Sequence, residues 1–421
     1  MKHIIKLFIV LFLMTSCSDQ LDLFPYSAVA PESITENDLP ALERGMYHSM
    51  QNNPGREFWV LYDLIGGNIT GSSGVAMDVI NSTLNPLHST IHNNWNGLYR
   101  ALYQVNNVIR ITTDASPSPI RNRVKGTAHY FRGFIYYSLV TRWGDVPIIK
   151  TNTMEQVSRD PVEEVWAFVE EELLNAIELL GTSESYYFAS RDAALALMAR
   201  AKLSQGKMEE AASYAEGLIT SGRYRLDAFE RIFRKQFNNE IIFAFENLTE
   251  ESSNNLSSQF YTYAHPNRGG YFWRPAREVV EMFDENDNRS AISITEVSGS
   301  YCINKYPSGQ TGIDPINVSR IAEMYLISAE AKGRVNGLAR LNELRNHRGL
   351  PNVNPTNDDD FIDAILAERN MELLAEGFRY HDLVRTGRAR EVLGLFEHQL
   401  LLPIPGRELL QNPNLTPNPG Y

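Results

Sequence analysis

Ala194-Leu195-Ala196-Leu197-Met198-Ala199-Arg200-Ala201-Lys202-Leu203-Ser204-Gln205-Gly206-Lys207-Met208-Glu209-Glu210-Ala211-Ala212-Ser213-Tyr214-Ala215-Glu216-Gly217-Leu218 decides the fold. Ala194, Leu197, Met198 and Ala201 recur at i, i+3, i+4 and i+7, the spacing of one helix face. Gln205-Gly206-Lys207 interrupts the pattern, and Ala211, Ala215 and Leu218 resume it. Two helices with alanine-rich facing sides and a three-residue turn form a tight antiparallel hairpin, because small side chains let the axes approach closely. The same periodicity extends outward in both directions. Val124, Ala128, Phe131, Ile135 and Leu139 form one face. Ala322, Tyr325, Leu326 and Ala329 form another, with a break expected at Gly337 before a helix over 338–345. Ile365, Met371 and Leu374 mark a helix around 360–376. Trp95 shares a face with Leu98, Leu102 and Val105 and reads as core, as do Trp143 and Trp166.

No strict 34-residue period runs through the chain, so the pairs are degenerate, tetratricopeptide-like units rather than a regular array. The expected fold class is mainly α: helix pairs forming a scaffold, with long irregular loops and a few short strands. Ile241–Phe245 is apolar and β-leaning and reads as one of those strands. Two long excursions without periodicity, around 58–91 and 250–314, leave the scaffold. The first is rich in Gly, Ser and Asn over 66–82, and the second becomes crowded with aromatics. Loops of this length in a compact protein are usually functional or disordered. The tail from Leu401 carries Pro403, Pro405, Pro413, Pro417 and Pro419 and is expected to be extended, without a helix.

At the N-terminus, Lys2 and Lys6 precede an apolar run from Ile4 to Met14 that is too short to span a bilayer. Thr15 and Ser16 supply the small residues before a cleavage point, and Cys17 follows at once. This pattern predicts a lipoprotein signal peptide over 1–16, a lipidated Cys17 with a tether over 17–25, and a single domain over 26–421. The alternative is ordinary secretion with Cys17 unmodified. Apart from Cys17 the chain holds one cysteine, Cys302, so lipidation of Cys17 leaves no intrachain disulfide. A net charge of −12 argues against nucleic acid and against a polybasic hold on anionic lipid. Hydrophobic content of 43% is enough for a sizeable core.

Four blocks, in order, carry a family resemblance. They are Phe131-Arg132-Gly133 through Arg142-Trp143-Gly144-Asp145-Val146-Pro147; Arg320-Ile321-Ala322-Glu323-Met324-Tyr325-Leu326 through Ala329-Glu330-Ala331; Glu368-Arg369 through Glu376-Gly377-Phe378-Arg379-Tyr380-His381-Asp382-Leu383-Val384-Arg385; and the tail, Leu401-Leu402-Pro403-Ile404-Pro405 with Asn412-Pro413-Asn414-Leu415-Thr416-Pro417-Asn418-Pro419-Gly420-Tyr421. In these blocks the chain resembles the SusD/RagB family of Bacteroidota outer-membrane lipoproteins. The resemblance implies non-enzymatic capture of glycans at the cell surface. It also implies a SusC-like TonB-dependent barrel as partner, over which the lipoprotein acts as a lid. Asp19 and Asp22 resemble an acidic export signal to the outer face, with periplasmic residence as the alternative. A helical-repeat envelope adaptor that binds proteins or peptides instead of glycans is the rival reading.

The candidate ligand face is the aromatic excursion. Sugar rings lay their C–H faces on aromatic rings, and hydroxyls seek planar polar groups. Trp273 and Tyr271 lead, flanking or adjoining the Gly269-Gly270 pair, with Phe272, Tyr263 and Arg268 beside them. Trp59, Tyr62, Asn68 and Asn81 from the first excursion complete the set. Glu368, Glu372 and Glu376 line one helical face, with Arg369, Arg379 and Arg385 near in sequence. They read as an ion network rather than a glycosidase pair. His88 and His92 lack an evident third ligand, so no metal site is expected, and no motif asks for a cofactor. Replacing Cys17→Ser is expected to move the protein from the membrane fraction to the soluble fraction, as read by fractionation and blotting.

Overall fold

Helices of twelve or more residues are α1 (Leu39–Asn52), α2 (Ser89–Thr113), α3 (Pro119–Trp143), α4 (Val162–Leu179), α5 (Arg191–Ser204), α6 (Met208–Ile219), α7 (Ile321–His347) and α8 (Asp358–Glu372). The computed structural model describes residues 34–71, 78–79, 81, 85–250 and 254–421. The leader, Cys17 and the tether therefore lie outside the described residues, as does most of the Gly/Ser stretch after Gly71. Among the described residues no helix is long and apolar enough to cross a membrane.

The expected hairpin is α5 and α6, joined by Gln205-Gly206-Lys207, with Ala194, Leu197, Ala201, Ala211, Ala215 and Leu218 all buried. Ser190 starts α5 by accepting a hydrogen bond from the Ala193 amide at 3.2 Å. α6 then packs on α7, and α7 on α8. At the centre, α3 is buried on every side from Gly126 to Trp143, held between α1, α2 and α4. A helix with no solvent face shows little amphipathic contrast, so its apolar stripe was only part of its packing surface. Trp95 and Trp143 are buried and meet edge to face, with ring centroids 5.1 Å apart, and Trp166 packs half-buried against the core.

The break in α7 falls at Gly333, not Gly337. Gly333 takes φ 70°, ψ 174°, which lets the helix end and restart. Gly337 serves a different purpose: a Cβ there would stand 1.9 Å from the Ala329 carbonyl oxygen, so only glycine lets the two halves close up. The tail also departs from expectation. Gly406–Gln411, between Pro405 and Pro413, forms a short helix, because that stretch contains no proline to block it. Around it the extended tail is fastened to the scaffold. The Trp143 indole donates to the Pro403 carbonyl at 3.0 Å, and Asn418 donates to the carbonyls of Trp143 (3.0 Å) and Leu402 (2.8 Å).

The strands are β1 (Ile69–Gly71), β2 (Ile241–Phe245), β3 (Trp273–Pro275), β4 (Ile294–Val297), β5 (Ser300–Ile303) and β6 (Ile316–Arg320), paired antiparallel as β1–β3, β2–β6 and β4–β5. β2 is the expected strand, and both it and β6 are buried throughout. The β1–β3 ladder sets Ile69 against Pro275 and Gly71 against Trp273. The two excursions read separately in the sequence are thus joined to each other.

The ion network is present, but with other partners and a shorter helix. α8 ends at Glu372, so Glu376 sits on the following turn. Glu372 accepts from Arg320 (2.8 Å), Arg348 (2.9 and 3.0 Å) and Arg289 (3.0 Å). Glu368 pairs with Arg289 and Arg345, and Glu376 with Lys305 and Arg320. Glu240 binds both Arg320 and Arg348. The nearby arginines do not join it: Arg369 pairs with Asp382, Arg385 with Glu330 and Asp382, and Arg379 forms no ion pair among the described residues. Burial alone would raise the Glu372 carboxyl, but the charges of Arg348, Arg320 and Arg289 hold it well below the usual carboxylate range. Removing one member of a buried network leaves its partners charged and uncompensated. Glu372→Gln is therefore expected to lower unfolding free energy by about 3–5 kcal/mol. Breaking the exposed Arg277–Glu281 pair by Arg277→Gln should leave stability almost unchanged, both read by urea denaturation.

Candidate glycan-binding face

The second excursion folds around its glycine pair. Ser257–Phe260 makes one helical turn, and Phe260 and Tyr261 bury themselves beneath it. The chain runs out through Thr262 and returns, with the Gly270 amide donating to Ser258 O (2.7 Å) and the Tyr271 amide to Tyr261 O (3.1 Å). A Cβ on Gly269 would lie 2.4 Å from the Tyr261 carbonyl oxygen, and one on Gly270 would lie 2.2 Å from the Phe272 ring. Arg268 (φ 32°) and Tyr271 (φ 51°) both occupy the left-handed region, which L side chains rarely adopt. Two such residues in one loop mean the surrounding hydrogen bonds hold the turn in a strained shape.

This shape exposes some rings and hides others. Tyr263 is 73% exposed, Phe272 55% and Tyr301, on β5, 44%. Tyr271 is half-buried, its hydroxyl donating to the Tyr301 carbonyl at 2.7 Å, which ties the loop to β5. Arg268 lies over the Tyr263 ring at 5.3 Å and Arg274 over the Tyr271 ring at 4.6 Å. Tyr301 and Arg274 were missed in the sequence. Tyr301 sits in a short strand with no aromatic neighbour of its own, and the packing of β5 beside β3, with the hydrogen bond from Tyr271, brings it to this face.

Four of the sequence-selected residues serve as structure instead. Trp273, placed first, is 3% exposed: its ring packs against Phe260 at 5.6 Å on the inner side of β3. Trp59 is buried, stacked on Phe134 with its indole donating to Gln51 O at 3.1 Å. Tyr62 is buried with its hydroxyl bonded to Thr141 Oγ1 at 3.0 Å. Trp59 and Tyr62 line a half-open pocket of about 60 Å³ together with Phe58, Arg142 and His381, room for a few waters. Asn68 is buried and donates to Asp63 at 2.7 Å. Asn81 is exposed, at a turn flanked by residues outside the described set.

Asp63 positions the base of the first excursion. Its carboxylate accepts from Asn68, from the Ala375 amide (3.0 Å) and from the Gly377 amide (2.7 Å), joining the start of β1 to the turn after α8. Burial outweighs these hydrogen bonds and raises its pKa to about 6.

The groups weighed for other chemistry are accounted for. Glu368, Glu372 and Glu376 are held by cations in the interior. His88 caps α2, its Nδ1 accepting from the Thr90 amide at 3.3 Å, and His92 stands 3.8 Å from Glu408. Among the described residues, no group of three or more His, Cys, Asp or Glu side chains could hold a metal ion.

A scaffold of helix pairs that carries exposed rings on loops defines a mainly helical binding protein. Comparison with known proteins gives the particular family. The SusD-like family described as "Starch-binding associating with outer membrane" matches residues 19–203, and the SusD (SusD/RagB) family matches residues 295–399. SusD-like protein P2 of Formosa agariphila is 27% identical, with all of both chains covered. A SusD superfamily protein from Bacteroides vulgatus superimposes with a TM-score of 0.83 at 21% identity, over 92% of this chain and 99% of that one. Surface glycan-binding protein A from Bacteroides thetaiotaomicron, solved with laminarihexaose, superimposes with a TM-score of 0.80 at 20% identity, over 91% of this chain and 100% of that one. The chain belongs to the SusD/RagB family.

A buried acid whose folded pKa is raised stabilises the fold fully below its unfolded value of about 4. That contribution is lost as pH rises through the folded value. Between pH 5 and pH 7 the native protein is thus expected to lose about 1.4 kcal/mol relative to Asp63→Asn, whatever the absolute stability of the variant. Paired denaturation curves at the two pH values measure this. Parallel pH dependences would show that Asp63 does not titrate in that window.

Proposed function

We propose that this protein is a non-catalytic lipoprotein, anchored through Cys17 to the outer membrane and facing the cell surface. It captures glycans and passes them to a SusC-like TonB-dependent transporter. The observation that carries the reading is the exposed set Tyr263, Phe272 and Tyr301, backed by Tyr271 on a strained, hydrogen-bonded loop. Large apolar rings held at the surface by a fixed backbone favour a ligand with flat C–H faces, since no induced ordering is needed on binding. The complex of a structural relative with laminarihexaose supports a saccharide as that ligand.

Within this reading Tyr263, Tyr271, Phe272, Tyr301 and Arg268 form the contact surface. Trp273 packs beneath it against Phe260, and Asn68 holds the start of β1, the strand paired with β3. Modest affinity suits the task, because the ligand must leave the lipoprotein to enter the barrel. Capture alone also needs no paired carboxylates at the face, in keeping with the engagement of Glu368, Glu372 and Glu376 in the interior.

Affinity electrophoresis of residues 18–421 against plant, microbial and host polysaccharides tests the proposal. Retardation by at least one polymer is expected. Phe272→Ala and Tyr301→Ala should each weaken it about tenfold, equivalent to about 1.4 kcal/mol for one lost ring contact, with helical circular dichroism unchanged. Absence of retardation by every polymer, together with co-purification of protein or peptide cargo, would favour the envelope-adaptor reading.

A further inference from the structure

The aromatic face carries a charge pattern opposite to that of the whole chain. Against a net charge of −12, it presents Arg268 and Arg274, each laid over a tyrosine ring. Arg56 lies over the Trp273 ring at 5.9 Å on the neighbouring segment. Among the described residues neither Arg268 nor Arg274 has a carboxylate within ion-pair distance, and Arg56 has only Glu57, at 3.7 Å. The buried Nε atoms of Arg56 and Arg274 have no hydrogen-bond partner. By contrast, the interior arginines Arg200, Arg289, Arg320, Arg348 and Arg385 each hold at least one carboxylate. The acid nearest in register to the aromatic face is Glu296, opposite Tyr301 in the β4–β5 ladder.

Stacking on a ring fixes the plane of a guanidinium while leaving N–H groups at its edge free to donate. That edge matches the paired oxygens of a carboxylate or a sulfate ester, and such charge-assisted bonds are about twice as strong as neutral ones. A neutral sugar would gain little from two unpaired arginines that could have been amides.

We infer that the face selects an anionic glycan, carrying sulfate or carboxylate groups. Arg268 and Arg274 bind the anions while Tyr263, Phe272 and Tyr301 bind the sugar rings. This inference rests on the glycan-capture reading and names its substrate class. It sets this protein apart from its relative bound to laminarihexaose, an uncharged oligosaccharide.

Matched polymers test it. The purified domain, residues 18–421, is run against dextran and dextran sulfate, and against polygalacturonate and its methyl ester. Binding at least tenfold tighter to one charged member than to its neutral counterpart is expected, and the pair showing it identifies sulfate or carboxylate. Raising salt from 50 to 500 mM should weaken that binding severalfold, a readout that needs no substitution. Arg268→Gln combined with Arg274→Gln should lose at least tenfold for the charged polymer, with circular dichroism unchanged. Phe272→Ala should also weaken it. Equal binding to both members of each pair, or charged-polymer binding unaffected by the arginine double variant, would overturn the inference while leaving glycan capture intact. Charged-polymer binding indifferent to Phe272→Ala would mark simple ion exchange and overturn it as well. Failure of every polymer, charged or neutral, would instead remove the glycan reading beneath it.

Discussion

Glu372 and the three guanidiniums around it are the constraint on which the remaining architecture depends. Arg289 comes from the turn before β4, Arg320 from the end of β6, Arg348 from the end of α7, and Glu372 itself from the end of α8. Four separate parts of the chain therefore meet at one carboxylate. Desolvating such charges is expensive, and only near-complete mutual hydrogen bonding offsets it. The network is consequently intolerant of partial formation. It fixes the ends of two helices and a strand in one relative position, which dispersion between aliphatic side chains would specify less sharply.

From that centre the aromatic face is reached in two steps. Glu376, four residues beyond Glu372, pairs with Lys305 and Arg320, while the Ala375 and Gly377 amides on the same turn hold Asp63. Asp63 in turn holds Asn68 and so the start of β1, and β1 pairs with β3. Trp273 and Phe260 are then packed inward, and the loop between them is closed against β5 by the Tyr271–Tyr301 hydrogen bond. Exposed rings over a platform of buried ones result from this chain of contacts. The rigidity of the face thus derives from the buried network rather than from the loop's own sequence, which contains glycines and left-handed residues.

The helical scaffold was legible because periodicity is a local property. Ala194 to Leu218 places two helices and their turn, and Ile241–Phe245 places a strand, from neighbouring residues alone. Errors arose where a local signal had two physical meanings. Gly337 reads as a helix break, but its missing Cβ serves the close approach to Ala329, and Gly333 supplies the break. The prolines of the tail exclude helix only where they fall, and Gly406–Gln411 lies between them. Glu368 and Glu372 were recognisable as members of an ion network from their spacing. Their partners were not, since Arg289, Arg320 and Arg348 lie between 24 and 83 residues from Glu372.

The sequence by itself determined the class of the protein: its helix pairs, its two long excursions and the motif blocks of its family. Each of these is written in spacing or in contiguous residues. Only the tertiary structure decided which aromatics face solvent. Trp273 and Phe272 are adjacent in the chain, yet one is core and the other exposed: Trp273 opens strand β3 and packs inward on Phe260, while Phe272 lies just before the strand, after the left-handed Tyr271. Tyr301 joins the face from a different strand, and Arg274 lies over the ring of the left-handed Tyr271. Burial is a property of what packs against a side chain, and that neighbour is set by contacts distant in sequence.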